Sequence, residues 1–333
     1  MVHLLAPEVL TAPALGDQRN PTLAALGGVT ASRSRNRNLR VAPGQAGEHE
    51  LGVTSTLLAA HPRARELLGR SLKSSPARLD LAACAVASLV DDDFEVEGIE
   101  QRLESLAARV RAVLAGKADL PGQLQALRQV LVHEEGFTGR GSLDDAPENS
   151  ALHHVLERRT GLPILLSTVY LEVARRAGIP LLGVSFPAHF LVTTPAPGER
   201  LVLDPFRRGV VLTPAQCEEL LARVAPAVRF TPRLLSPASV PTIATRMLSN
   251  LKRSYLARGD GERALRVIDL LLMLAPDHPG ELRARAGILS ALGAYRAALS
   301  DIERCLELSP DAADQKDLLT AARVLRQRAD YLN

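Results

Sequence analysis

The sequence predicts a mostly helical α+β protein with a small antiparallel sheet, followed by a short α-solenoid. Three observations predict this fold class. The apolar run Pro163–Ala174 is long and uniform enough for a helix that is buried nearly all round. Short alternating segments follow it as far as Asp204, which is typical of antiparallel strands. From about Met247 onward the chain repeats itself every 34 residues, as stacked helical repeats do.

Length and composition limit the class of protein. A chain of 333 residues is too long for one ordinary core and predicts two domains with a tail. A hydrophobic content of 46% and a net charge of only +3 are typical of a soluble protein with little electrostatic attraction to nucleic acids or membranes. No apolar run reaches the ~18 residues of a membrane span, and the start lacks the basic region of a signal peptide. We therefore expect a cytoplasmic protein without a membrane segment.

The cysteines and histidines predict neither disulfides nor a metal site. Cys84, Cys217 and Cys305 are far apart and form no CxxC pair. His153 and His154 are adjacent, and neighbouring side chains point about 100° apart on a helix. Without a further ligand from elsewhere in the chain they cannot both face one metal ion. No metal and no cofactor are predicted.

The first part of the chain is predicted as a tail followed by helices. Residues 1–50 lack a sustained apolar period and form an irregular segment, within which 32–40 is a basic cluster. With no interleaved aromatic residues, and only 3% aromatics in the chain, nucleic-acid binding by this cluster is disfavoured. Helical periodicity then runs from Leu51 to Leu131. The acidic turn 91–95 within it lacks the spacing of a calcium loop and is predicted as a solvated loop.

Two helices precede the predicted sheet. Asn149 or Ser150 is expected to cap the first, which continues to Arg159. The second is the apolar helix that begins at Pro163, and Gly178 marks its end.

The predicted strands bring a histidine and an aspartate together. They span 181–186, 189–194 and 200–204, with Pro195-Ala-Pro-Gly198 as the turn between the last two. If that hairpin is symmetric, His189 lies directly opposite Asp204 and their side chains share a face. A carboxylate that orients an imidazole is half of a nucleophile-activating triad. The other interpretation is an ion pair at the strand ends.

The remainder of the chain is predicted as one helix, a linker and repeats. A helix from Thr213 to Val224 contains Cys217, and residues 226–245 are punctuated by prolines like a linker. The 34-residue repeat of 246–333 resembles the tetratricopeptide repeat, on the matched pairs Gly259/Gly293, Ala264/Ala298, Ile268/Ile302, Leu274/Leu308 and Pro276/Pro310. Two units are too few to stand alone, so we expect them to dock on the preceding domain and to be closed by a helix over 313–332. They provide either a peptide-binding groove or a structural buttress.

Several separated motifs in order carry a second resemblance. Asn149-Ser-Ala-Leu, Arg159-Thr-Gly-Leu-Pro163, Ala188-His-Phe190 and Leu203-Asp-Pro-Phe206 resemble the SirB-type branch of the transglutaminase-like superfamily. The resemblance covers roughly residues 75 to 215 and implies a papain-like core in a domain over 51–225. In catalytic members a cysteine begins the core helix, where the helix dipole and an imidazolium lower its pKa.

Carried onto this chain, the resemblance matches two of the three catalytic positions. His189 matches the histidine and Asp204 the aspartate, while the cysteine position falls at about Pro163, which has no nucleophile. We therefore expect a non-catalytic binding or regulatory module. Its partner would be a protein, a peptide or a small anionic ligand, held in a cleft near Asn149, Pro163 and Arg207.

An enzyme remains the alternative. It would be a hydrolase or acyl transferase with Ser167 as nucleophile, His189 as base and Asp204 as orienting residue, because Ser167 lies one turn beyond Pro163 on the same helix face. Such a triad requires the Ser167 hydroxyl to be within hydrogen-bond reach of the imidazole. Cys217 comes after the sheet rather than before it, and it is predicted as a buried, inert thiol.

Overall fold

The computed structural model describes residues 61–91, 93–114, 119–140, 146–195, 200–310 and 313–331. The predicted irregular segment 1–50, with its basic cluster, and the start of the first helical region at 51–60 lie outside these residues. The described contacts fall into two compact units, one within Leu51–Glu281 and one within Leu282–Asn333.

Helices make up the first half of the larger unit, as the periodicity predicts. They are α1 (Pro62–Lys73), α2 (Leu79–Ala87), α3 (Val96–Leu114) and α4 (Leu120–Arg128), and a π-helical turn, Gln129–Glu134, continues α4. Every residue of α2 is buried, because its sequence is apolar except for one aspartate. The amphipathic α3 buries a single stripe, Ile99, Leu103, Leu106, Ala107 and Val110.

The core helix forms where the sequence predicts it. It is α6 (Pro163–Ala177), with proline in its first turn and the left-handed Gly178, at φ +76°, at its end. All residues from Ile164 to Ala174 are buried. Because α6 has no polar face, other elements must cover it on all sides, and it becomes the centre of the unit.

The helix before α6 starts later than predicted. It is α5 (Leu152–Arg158), and Ala151 occupies its N-cap position. Asn149 and Ser150 belong instead to a preceding 3₁₀ turn, Pro147–Ser150, so the prediction that one of them caps the helix is wrong. Pro147 starts this tight turn just before the buried residues of α5, Leu152, Val155 and Leu156.

Four short strands form one antiparallel sheet in the order β1-β2-β3-β4. They are β1 (Leu182–Val184), β2 (Leu191–Thr193), β3 (Val202–Asp204) and β4 (Val210–Leu212). The sequence predicts strands in the regions of β1, β2 and β3, and β4 is an addition to them. β4 is defined by its pairing with β3.

The predicted register of the β2–β3 hairpin is wrong by two residues. Val192 pairs with Leu203 and Thr193 with Val202, which places residue 191 rather than 189 opposite Asp204. His189 precedes β2 in a turn. The centre of the connection therefore differs from the assumed one, although residues 196–199 of that connection lie outside the described part of the chain. A shift of two residues preserves the face on which a side chain lies.

The sheet and the helix that follows it enclose a small apolar core. Helix α7 (Pro214–Val224) begins with a capping box of Thr213 and Gln216, as the capped helix was predicted. Its inner face packs on side chains of the sheet and of the segment that follows. The buried members of this cluster are Val184, Phe186, Leu191, Val202, Leu212, Cys217, Leu220, Leu221 and Leu235.

Buried carboxylates fix α2 to α6. Asp80 accepts hydrogen bonds from Arg78 and from Arg176, the latter at 2.6 Å. Arg176 also binds Glu172 one turn earlier in its own helix, and Glu172 is almost fully buried as well. Charges of opposite sign are thus paired at each buried position, which is what makes their burial tolerable.

The region predicted as a proline-rich linker is partly helical. Residues Pro232–Leu235 form a 3₁₀ turn, and α8 (Val240–Ala257) begins within the predicted linker, seven residues before Met247. The Ser239 hydroxyl caps α8 and proline occupies its first turn. Proline is compatible with that position because the first N–H groups of a helix have no intrahelical acceptor.

The repeat helices follow the predicted pattern. They are α8, α9 (Gly261–Leu274), α10 (Pro279–Ala291) and α11 (Tyr295–Leu308), and α12 (Gln315–Tyr331) comes last. The matched glycines have positive φ angles, +71° at Gly259 and +83° at Gly293, in the turn inside each helix pair. The matched alanines, Ala264 and Ala298, are fully buried, where a small residue allows close helix packing.

The first repeat helix packs on the preceding domain. Helix α8 lies against α2, and the Tyr255 hydroxyl donates to the Leu89 carbonyl at 2.7 Å. In the smaller unit α12 packs on α11 through a buried stripe that includes Leu318 and Leu325. Among the described residues no helix combines the length and apolarity that crossing a membrane requires.

Candidate functional site

The predicted histidine and aspartate meet at one end of the two central strands, β2 and β3. The Nε2 atom of His189 lies 3.0 Å from Oδ1 of Asp204. His189 is 7% exposed, and Asp204 is fully buried. The pair forms despite the shifted register, because diagonal neighbours on paired strands still share a face and lie within reach of long side chains.

The Asp204 carboxylate is held mainly by the backbone that follows it. Its Oδ1 accepts from the N–H groups of Phe206 at 3.1 Å and Arg207 at 3.3 Å, which start a 3₁₀ turn, Pro205–Arg207. Its Oδ2 is buried without a hydrogen-bond partner among the described residues. Asp204 thus has two roles: its carboxylate caps the 3₁₀ turn and accepts the hydrogen bond from the imidazole.

The geometry leaves one imidazole nitrogen of His189 for other contacts. An ionised carboxylate only accepts hydrogen bonds, so the Nε2–H group of His189 donates to Asp204 and the Nδ1 atom points elsewhere. Nδ1 makes no hydrogen bond to any described residue. The ring is further fixed by an edge contact with Phe206, with centroids 5.7 Å apart.

Pro163 lies in the first turn of α6, the position that the resemblance assigns to a catalytic thiol. Helix α6 packs against both β2 and the 3₁₀ turn 205–207, so the histidine–aspartate pair is attached to the core helix. The first turn of α6 therefore supplies the dipole that would activate a thiol, but a pyrrolidine ring has no nucleophilic atom.

Ser167 does not bond to His189. Its hydroxyl is completely buried and donates to the Phe190 carbonyl at 3.4 Å. This bond joins α6 to the backbone next to His189. The structure thus gives Ser167 a contact that positions the strand.

Cys217 is part of the apolar cluster between the sheet and α7. Burial, with a smaller contribution from the Asp204 charge, raises the pKa of its thiol. A thiol that is kept protonated is a poor nucleophile. Its predicted inertness agrees with this environment.

A glycine-bearing loop and Asn149 lie close to the same elements. Gly139 donates its N–H to the Phe206 carbonyl at 2.9 Å, and a Cβ at Gly139 would lie 2.3 Å from the Phe206 ring. Only glycine permits this approach. The Asn149 carbonyl accepts from the Leu162 N–H at 3.4 Å, so Asn149 lies beside the start of α6. Two of the three residues predicted to form a cleft, Asn149 and Pro163, are therefore neighbours.

The third predicted residue, Arg207, lies in an exposed cationic turn. Arg207 and Arg208 are both exposed, and the Arg128 side chain donates to the Arg208 carbonyl at 3.2 Å. None of these three arginines forms a salt bridge within the described residues. Sequence reasoning missed Arg128, which is 80 residues from its partner and has no local signal.

One group of metal-ligating side chains occurs among the described residues. It lies on other elements than those that carry His189 and Asp204. It consists of Asp91, His153 and His154, whose ligand atoms all lie within 4.8 Å of one another. From the sequence, the two histidines need a further ligand from elsewhere in the chain to face one metal ion. Asp91 supplies a carboxylate at that place. The adjacent histidines were a signal, but nothing local connects them with an aspartate 62 residues earlier.

Comparison with known proteins finds two families along the chain. Residues 97–249 match the transglutaminase-like superfamily, and residues 251–326 match the tetratricopeptide repeat. These matches agree with the core described above and with the repeats that follow it.

Whole-protein relatives are similar over about two thirds of the chain. A UPF0162 protein of Xylella fastidiosa is 41% identical over 225 residues, which cover 66% of this chain and 79% of the relative. The UPF0162 protein PA3419 of Pseudomonas aeruginosa is 33% identical, over 65% of this chain and 78% of its own. Protein SirB1 of Salmonella typhimurium is 27% identical, over 66% of this chain and 82% of its own.

Proposed function

The chain belongs to the UPF0162 family of transglutaminase-like proteins with tetratricopeptide repeats, to which SirB1 is related, and we propose that it is a non-catalytic binding module. Its ligand is an acidic segment of a protein partner, bound beside the His189–Asp204 pair. The observation that carries the proposal is the proline in the first turn of α6, at the position where the resemblance implies a catalytic cysteine.

Neither remaining nucleophile candidate favours chemistry. A triad requires the nucleophile to bond to the base, and the Ser167 hydroxyl instead bonds to the Phe190 carbonyl. Cys217 is buried among apolar side chains with a raised pKa. His189 and Asp204 then order the turn 205–207 and present one imidazole nitrogen, without a group for that nitrogen to activate.

The charge beside the pair favours an anionic ligand. Arg207 and Arg208 lie in the turn 205–209, and the Arg128 side chain bonds to that turn. None of the three has a carboxylate partner among the described residues. Arginine binds carboxylates in a bidentate geometry and keeps its charge at every physiological pH. An acidic peptide complements these positive charges. The tetratricopeptide repeats that follow provide a second surface for binding a protein partner.

Restoring a thiol tests whether position 163 is the nucleophile position. In Pro163→Cys the helix dipole and His189 should lower the thiol pKa from about 8.5 to below about 7.5. The measurement is the rate of alkylation by iodoacetamide as a function of pH. Background should be slow, because the native cysteines are buried and burial raises the pKa of Cys84 to about 12.

Two controls define this experiment. Thr245→Cys places a thiol at an exposed position in the second turn of α8, beyond the first-turn N–H groups, and should titrate as an ordinary thiol. Pro163→Cys combined with His189→Ala should lose part of the pKa depression. If Pro163→Cys titrates like Thr245→Cys, the assignment of the nucleophile position to residue 163 is wrong.

Ligand binding is tested with fluorescent acidic and neutral peptide libraries. The full chain should bind acidic peptides with an affinity that falls with salt, and Arg128→Gln combined with Arg207→Gln should weaken binding at least about tenfold. Arg233→Gln, at an exposed position in the 3₁₀ turn 232–235, is the matched control. Turnover of a peptide by the wild type, lost in Ser167→Ala, would contradict the non-catalytic proposal. Equal binding by all variants would contradict the ligand site.

A further inference from the structure

Two elements that are distant in sequence bring three metal-ligating side chains together. Asp91 lies in the segment after α2, and His153 and His154 lie in the first turn of α5. The Nε2 atom of His153 is 3.1 Å from Asp91 Oδ1, and that of His154 is 2.9 Å from Asp91 Oδ2. Both imidazoles therefore direct the same nitrogen at one carboxylate.

These separations suit first-row metal ions. Two ligand atoms bound tetrahedrally to zinc at roughly 2.0–2.1 Å are about 3.3 Å apart. The nitrogen–oxygen distances, 2.9 to 3.3 Å, are close to this separation, and all the ligand atoms lie within 4.8 Å of one another. The two imidazoles are already close, with ring centroids 4.1 Å apart. Two imidazoles and a carboxylate are a common ligand set for zinc and other divalent transition metals.

Hydrogen bonding within the protein leaves the cluster incomplete. The Nδ1 atoms of both histidines are buried without a hydrogen-bond partner among the described residues. One divalent cation can bind both Nε2 lone pairs and the carboxylate together. The exposed Glu157 carboxylate is 4.0 Å from His154 Nδ1. A carboxylate near the other ring nitrogen is a common outer partner of a metal-bound histidine.

Space for further ligands lies beside His153. A cavity of about 320 Å³ is lined by Phe94, Arg102, His153 and Glu157, among others. Phe94 stacks on the His153 ring, with centroids 4.7 Å apart, and holds it in place. The cavity lies beside His153 and is not lined by Asp91 or His154. Three protein ligands leave a fourth tetrahedral position for water or a small anion.

We propose that Asp91, His153 and His154 form a binding site for one divalent transition-metal ion, with zinc as its first candidate. The ion joins the segment after α2 to the start of α5. This site is separate from the peptide site proposed above and does not depend on it. Two imidazoles and a carboxylate exclude a site designed for calcium or magnesium, which prefer oxygen ligands only.

The test uses the full chain without a polyhistidine tag, stripped of metal by a chelator. Zinc is titrated in competition with a fluorescent zinc indicator, and the wild type should bind one equivalent. His153→Gln, His154→Gln and Asp91→Asn should each weaken binding at least about 100-fold, since losing even an outer partner of a metal site costs about 10–100-fold. Saturating zinc should also raise the melting temperature by roughly 5–10 °C.

Matched variants make each outcome decisive. His133→Gln removes an exposed histidine from another element and should leave zinc affinity unchanged. Circular dichroism of the metal-free variants checks that they are folded. Cobalt substitution provides an independent readout, because Co²⁺ bound to two imidazoles should give visible d–d bands that His153→Gln loses. Zinc binding that is absent in the wild type, or equally strong in His153→Gln and His154→Gln, overturns the proposal.

Discussion

Two histidine–aspartate groups occur in the described part of the chain, and they use their carboxylates differently. Asp204 is fully buried and accepts from one imidazole and two backbone N–H groups. Asp91 is one-third exposed and accepts from two imidazoles and one backbone N–H, that of Asp93. A carboxylate that accepts mainly from backbone N–H groups holds the local backbone in place. A carboxylate that accepts mainly from imidazoles can instead bind a cation together with them.

Removing each carboxylate is the most direct way to break this comparison. Asp204→Ala should destabilise the protein by about 3–5 kcal/mol, because three donors lose their buried acceptor. Asp91→Ala in metal-free protein should cost at most about 1 kcal/mol, because the group is exposed enough for water to replace it. Urea denaturation followed by circular dichroism measures both. Equal losses would show that the two carboxylates have the same role.

A third carboxylate, that of Asp80, makes the stability of the fold depend on pH. Burial alone would raise the pKa of Asp80, but hydrogen bonds from Arg78 and Arg176 outweigh it and lower the pKa below 3.8. Its stabilising contribution is complete above the unfolded-state pKa of about 3.9 and is lost as the pH falls through the folded-state value.

Asp80→Asn should therefore cost about 3 kcal/mol between pH 5 and 7, and less below pH 4. Urea denaturation of wild type and variant across this range measures the difference. Arg70→Gln, which removes an exposed ion pair with Glu66, is the control and should cost less than about 1 kcal/mol at every pH. A cost for Asp80→Asn that stays constant down to pH 3 would contradict the assigned pKa direction.

The smallest expected effect concerns the hydroxyl next to the histidine. Ser167→Ala should cost about 1 kcal/mol, because the Phe190 carbonyl loses a donor, and should leave peptide binding unchanged. Thr168→Val is matched to it, since the Thr168 hydroxyl bonds only within α6, to the Ile164 carbonyl. Denaturation and peptide titration of both variants measure these effects. Loss of binding in Ser167→Ala alone would give Ser167 a role at the ligand.

Sequence reasoning predicted those parts of the fold that local patterns determine. The core helix, the capped helix α7 and the repeat glycines each depend on residues a few positions apart. Non-local features were harder: strand β4 exists only through its pairing with β3, and the hairpin register depends on a connection whose shape the sequence does not specify. The cap of α5 was missed because Asn149 and Ser150 form a turn of their own.

The candidate sites show the same limit. His189 and Asp204 were found together because strand alternation places both on one face, and an error of two residues in the register leaves the face unchanged. Asp91 could not be connected with His153 and His154, because only the packing of α2 near α5 brings them together. Ligand-spacing rules detect neighbours in sequence and cannot detect this pair of segments.

The hydrogen bond from Tyr255 to the Leu89 carbonyl determines where the repeats can be separated from the preceding domain. Helix α8 starts the repeat in sequence, yet it packs on the fully buried α2, so its sequence must suit both the repeat and the preceding domain. Replacing the chain from residue 246 onward would therefore leave α2 facing a foreign helix. The repeats can be exchanged as a unit only beyond α8.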